Sequence, residues 1–134
     1  MSVVVDDKAA AECLAGFPGI VAAWVFGSAK GGVVRSNGDI DVALLLDHKP
    51  SLDELAAVRA ALQDALHFEE IDVVPLNDDT APILRFEAVS GKLIFCRNRL
   101  ALTAFVSLTA REYESDMAFL QWGMKSRKGG GTSR

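Results

Sequence analysis

A Gly-Ser turn, Gly27-Ser28, stands ten residues ahead of Asp39-Ile40-Asp41, and this spacing constrains the chain more than any other feature. The turn follows a continuous apolar run, Ile20 to Phe26, which reads as a strand buried on both faces. The aspartates open the next strand, from Asp39 to about Leu46. Side chains alternate between the faces of a strand, so Asp39, Asp41 and Ala43 share one face while Ile40, Val42, Leu44 and Leu46 take the other. Two carboxylates side by side behind a backbone-rich turn make a metal and phosphate constellation, because magnesium usually binds through one or two carboxylates plus substrate phosphates.

The next strand-like run, Glu69 to Leu76, brings a third carboxylate. Asp72, inside the apolar run, is the expected third ligand; Glu70 shares its parity and is the alternative. Three converging carboxylates repel one another, so the arrangement is costly unless a cation offsets the repulsion. In a two-metal displacement one ion activates the attacking hydroxyl and the other steadies the leaving pyrophosphate, and Asp72 would stand nearest the nucleophile. Gly27 lets phosphate oxygens approach backbone N–H groups, and Ser28 adds a hydroxyl donor. Lys30 and Arg35, in the same loop, could neutralise phosphate charge, although a solvated loop cation is the commoner role. The loop from Gly27 to Gly38 holds four glycines and leaves room for a short helical turn.

Around these runs the pattern predicts helices. Asp6 or Asp7 caps one through about Phe17, ended by Pro18-Gly19. Ser51 and Glu54 form a capping-box pair ahead of a helix from Leu52 to Leu66, with Leu55, Val58, Leu62 and Leu66 as its apolar series. The crossover from Leu46 to Glu69 suits a parallel pair of strands but leaves an antiparallel one open. A short helix from Ala81-Pro82 to about Val89 stops at Gly91, and Lys92 to Cys96 is a last short strand. From about Leu100 to Trp122 a long helix carries Leu102, Phe105, Thr109, Tyr113, Met117 and Leu120 on one stripe. Its apolar surface either packs on the sheet or meets a partner or a second copy. The expected organisation is one domain over residues 1–122 and a disordered tail over 123–134.

Composition narrows the function classes. A chain of 134 residues, half of them apolar, has enough material for one domain with a real core. The net charge of −4 argues against a general polyanion binder, so direct binding of nucleic acid is not expected. Cys13 and Cys96 lack zinc-ligand spacing and read as reduced thiols. No apolar run reaches membrane-spanning length, and the acidic start at Asp6-Asp7 does not resemble a signal peptide, so a cytoplasmic protein is the expectation.

Gly27-Ser28, Asp39-Ile40-Asp41 and then Asp72 in Ile-Asp-Val-Val, taken in that order, resemble the DNA polymerase β-like nucleotidyltransferase superfamily, specifically its small stand-alone minimal nucleotidyltransferases. The stretch Leu76-Asn77 with Ala81-Pro82-Ile83-Leu84-Arg85-Phe86-Glu87 looks like the antitoxin branch, whose members are encoded beside a HEPN ribonuclease toxin. The resemblance implies an α+β nucleotidyltransferase fold, a small mixed sheet packed by helices with a long C-terminal helix. It implies a magnesium site at Asp39, Asp41 and Asp72, and transfer of AMP from ATP to a tyrosine hydroxyl of the toxin. A homo- or hetero-oligomer fits that role. The chain departs from the pattern at Gly31, where members commonly carry Arg, and at Gly38, where Ser is frequent; both changes remove polar phosphate contacts. Two alternatives stay open. One is an antitoxin that occludes its toxin without chemistry, and the other a small-molecule nucleotidyltransferase of the aminoglycoside-modifying type, which would need an acceptor pocket.

Overall fold

The computed structural model describes residues 2–27, 33–35, 38–77 and 80–128. A four-stranded mixed sheet is the centre of the molecule, with spatial order β5 (Ile71–Leu76), β4 (Ile40–Leu46), β2 (Ile20–Phe26) and β6 (Lys92–Cys96). β2 runs antiparallel to both β4 and β6, whereas β4 and β5 are parallel. The parallel register of β4 with β5, joined by the crossover helix α2 (Leu52–Leu66), settles the pairing that the sequence left open.

Helices cover both faces. α1 (Asp7–Ala15) and α2 bury Ala10, Leu14, Val58 and Leu62 against Ile40, Val42, Leu44 and Ile71. On the opposite face, α3 (Pro82–Val89) and α4 (Arg99–Lys128) lay Ala88, Leu102 and Phe105 on Ala43, Leu45, Trp24 and Phe26. β2 and β4 are therefore buried on both sides, which is why their sequences run apolar without interruption.

The caps work as single bonds. Asp6 Oδ1 accepts from Ala9 N–H at 3.1 Å and Ser51 Oγ from Glu54 N–H at 3.1 Å. The Glu54 carboxylate does not complete a capping box; it takes His48 Nε2 at 2.8 Å, while His48 Nδ1 meets Asp47 at 2.7 Å. Arg97 ties β6 to the start of β2, donating from Nε to Ile20 O and from Nη2 to Ala15 O and Phe17 O.

Three features depart from the sequence expectations. The loop after Gly27 contributes a strand, β3 (Val33–Arg35), where a helical turn had room; it pairs antiparallel with β1 (Ser2–Val4) in a separate two-stranded ribbon. Both segments are β-branched and too short to stand out by periodicity. α1 stops at Ala15, and Gly16 and Phe17 close its end through bonds to Cys13 O and Leu14 O. α4 continues to Lys128, six residues into the stretch expected to be a tail, because no Pro or cap interrupts it before that point.

Candidate active site

The carboxylates converge through strand register. Asp41 lies opposite Asp72 in the parallel β4–β5 ladder and opposite Phe26 in the antiparallel β2–β4 ladder. Residues opposite each other in a ladder point to the same face, about 4.8 Å apart between strands. Asp39 precedes β4 by one residue and is exposed, as is Asp72; Asp41 is half-buried between them. Burial raises the Asp41 pKa above its ordinary value, and the charges of Asp72, Asp39 and Glu87 push it further in the same direction. Glu70 is not among the charges that act on Asp41, and it is Asp72 that stands opposite it in the ladder.

Gly27 closes the other flank. Its φ of +70° lies in the left-handed region, and an added Cβ would stand 2.6 Å from Asp41 Oδ2. Glycine is required there on both counts: the backbone disfavours any other residue, and the carboxylate already occupies the space. Ser28, Lys30 and Gly31 lie outside the described residues. Arg35 ends β3, in register with Ser2.

Two residues join the site that sequence reasoning had not assigned to it. Glu87, in the last turn of α3, acts electrostatically on Asp41. That end of α3 is held against β2 beside the site, for a Cβ on Gly91 would meet Val25 O at 2.3 Å and Phe26 Cβ at 2.9 Å. Arg59 of α2 shares with Asp41 and Asp72 a cleft of about 460 Å³ at the β5 edge, lined also by Leu55, Ala56, Val73 and Val74. Arg59 is exposed at the border of the α2 stripe of Leu55, Val58 and Leu62, an ordinary place for a charged residue, so the sequence carried no signal for it. A second cleft, of about 550 Å³, lies at the far end of β4 and β5 near Asp47, His48 and Asn77, away from the carboxylates.

The donor set suits a hard divalent cation held in part by substrate. Among the described residues no group of three or more His, Cys, Asp or Glu side chains is placed to hold a metal ion. An open site built on Asp41 and Asp72 is nonetheless the magnesium pattern, one or two carboxylates completed by phosphate and water oxygens. A cation there would relieve the repulsion that Asp41 experiences. Among the described residues no helix is long and apolar enough to cross a membrane.

Comparison with known proteins agrees with this geometry. No curated protein is close enough in sequence to match. Among solved structures, a mutant MntA–HpeT toxin–antitoxin complex contains a chain that aligns with TM-score 0.74 at 20% identity, covering 90% of this chain and 97% of that one. A toxin–antitoxin structure with AMP-PNP aligns with TM-score 0.71 at 21% identity over 90% and 97%. A tri-AMPylated Shewanella oneidensis HEPN toxin in complex with MNT antitoxin gives 0.64 at 18% identity, again over 90% and 97%. These likenesses establish a shared fold. The family model described as polymerase beta, nucleotidyltransferase matches residues 8–100, the span from α1 through β6 that carries the turn and all three aspartates, and the chain belongs to that nucleotidyltransferase family.

Proposed function

We propose that this protein is a magnesium-dependent adenylyltransferase antitoxin, moving AMP from ATP onto a tyrosine hydroxyl of a HEPN ribonuclease toxin and thereby neutralising it. The observation that carries the reading is the in-register pair Asp41 and Asp72, open to a cleft on one flank and abutting the Gly27 turn on the other. Support for the partner and the nucleotide comes from the similar structures, which include a toxin–antitoxin complex with AMP-PNP and an AMP-bearing HEPN toxin with its antitoxin.

Asp39, Asp41 and Asp72 would hold magnesium, which when bound supplies charge neutralisation at the phosphorus under attack and a lowered pKa for the attacking hydroxyl. The chain's own contribution is placement. Gly27 leaves backbone room for the triphosphate beside Asp41, with Ser28, Lys30 and Arg35 as further phosphate contacts. Asp72, one strand away, faces the acceptor. The acceptor oxygen then forms a bond to the α-phosphorus as the bond to pyrophosphate breaks.

The test is to express the chain with a HEPN-type toxin, add ATP and magnesium, and weigh the intact toxin by mass spectrometry. A gain of one or more AMP masses, lost when Asp39 and Asp41 are both changed to Asn, is the expected result. Neutralisation that survives those changes with no mass gain would instead mean occlusion by binding. Transfer to an aminoglycoside without any protein partner would assign the small-molecule class.

A further inference from the structure

The site has two flanks with different chemistry. On the β2 side of Asp41 lies the Gly27 turn, read above as the seat of the triphosphate. On the β5 side, beyond Asp72, lies the cleft that Arg59 lines. Arg59 is fixed by one bond, Nε donating to Ile71 O at 2.8 Å. That bond anchors the guanidinium to the residue immediately before Asp72. Among the described residues its Nη1 and Nη2 have no hydrogen bond or ion pair, even though two carboxylates line the same cleft.

A guanidinium held by Nε with both Nη groups turned loose is a two-pronged donor matched to a phosphate. We infer that Arg59 forms a phosphate-binding subsite on the acceptor side of Asp72, and that its ligand is the phosphodiester of an acceptor already carrying AMP. The inference rests on the proposed adenylyl transfer. Its physical basis is the position of the arginine: the first acceptor hydroxyl brings no anion into this cleft, whereas an adenylylated tyrosine brings one phosphodiester together with ribose hydroxyls able to serve as the next acceptors. Each later round balances like the first. A ribose oxygen bonds to the α-phosphorus of a new ATP, pyrophosphate departs, and the hydroxyl proton passes to solvent. Arg59 thereby favours repeated addition, and the three AMP units on the toxin of a similar complex are the kind of product such a subsite would yield.

Two measurements test this. Titration calorimetry with synthetic O-adenylyl-tyrosine, which needs no turnover, should show binding weakened about tenfold in Arg59→Gln, the loss of one bidentate charged contact. Intact-mass analysis of the toxin, compared at equal yield of the first transfer, should show the ratio of doubly to singly modified product falling by a similar factor. Gln63→Ala serves as the structural control. It deletes a neighbouring tie between α2 and the start of β5, Gln63 Nε2 to Glu69 O at 2.7 Å, and should leave both readouts unchanged. Equal binding of O-adenylyl-tyrosine by the unmodified chain and Arg59→Gln would overturn the subsite whether or not transfer occurs. A raised KM for ATP in the first round, with product ratios unchanged, would place the phosphate on ATP and equally overturn it. Absence of any mass gain with the unmodified chain would instead count against the transfer reading, leaving the calorimetry to decide on Arg59.

Discussion

A Cβ on Gly27 would stand 2.6 Å from Asp41 Oδ2, so the turn and the central carboxylate occupy one packed unit. Gly27→Ala therefore meets two penalties, a left-handed backbone that costs about 1–2 kcal/mol for a non-glycine residue and a displaced carboxylate. The expected outcome is a lowered midpoint in urea denaturation together with loss of AMP transfer. A variant of unchanged stability and full activity would show that the turn is not coupled to Asp41.

Asp41→Asn should separate stability from activity. Asp41 is disfavoured as a carboxylate by burial and by Asp72, Asp39 and Glu87. With magnesium chelated, removing that charge should raise Tm, while under the proposed mechanism transfer falls by at least about 100-fold through loss of a metal ligand. On the same proposal, magnesium with a non-hydrolysable ATP analogue should stabilise the unmodified chain thermally and leave the variant unchanged. Scanning fluorimetry with and without chelator reads the two thermal effects, and intact-mass analysis of the toxin reads the transfer.

His48 gives the pH dependence a sign. Its pKa is raised, first by hydrogen bonding to Asp47 and then to Glu54. A group whose folded pKa exceeds its unfolded value contributes stability below the unfolded value, near 6.5 for histidine, and loses it as pH rises through the folded one. The Tm advantage of the unmodified chain over His48→Gln should accordingly be largest in mildly acidic buffer and vanish as the pH is raised. The cluster is solvent-exposed, so the advantage is small and shrinks further with added salt.

Arg85 is 1% exposed and joins α3 to α4, with Nε donating to Thr80 O at 2.9 Å, Nη2 to Glu112 at 2.5 Å, and the guanidinium 5.9 Å from the Phe105 ring centre. Arg85→Ala leaves a cavity and removes the bonds to Thr80 O and to the partly exposed Glu112, which should cost about 2 kcal/mol, chiefly through lost packing. Arg85→Met, which keeps most of the packing volume, should cost less. Equilibrium urea unfolding compares the two.

Much of the fold was legible because the sheet announces itself in patterns. Ile20 to Phe26 reads as a strand buried on both faces and the run from Asp39 to Leu46 as the next strand, and both are strands with helices packed on either side. The stripe on the last helix placed Leu102, Phe105 and Thr109 inward, and all three are buried. The ribbon of β1 and β3 was missed because three-residue strands carry no period. The parallel partner of β4 was undecided because a crossover length permits either direction. Arg59 and Glu87 were missed for another reason: each belongs to a helix whose own pattern explains it, and only packing brings it to the carboxylates.

The sequence by itself determined the carboxylate spacing, the alternation that puts Asp39 and Asp41 on one face, and the glycine at the turn, since these follow from local geometry within a few residues. The tertiary structure decided that Asp72 stands directly opposite Asp41, that Gly27 abuts the same carboxylate, and that a pinned arginine borders the far flank. Those relations depend on strand register and helix packing, where contacts between distant residues, not neighbouring ones, fix which side chains share a space.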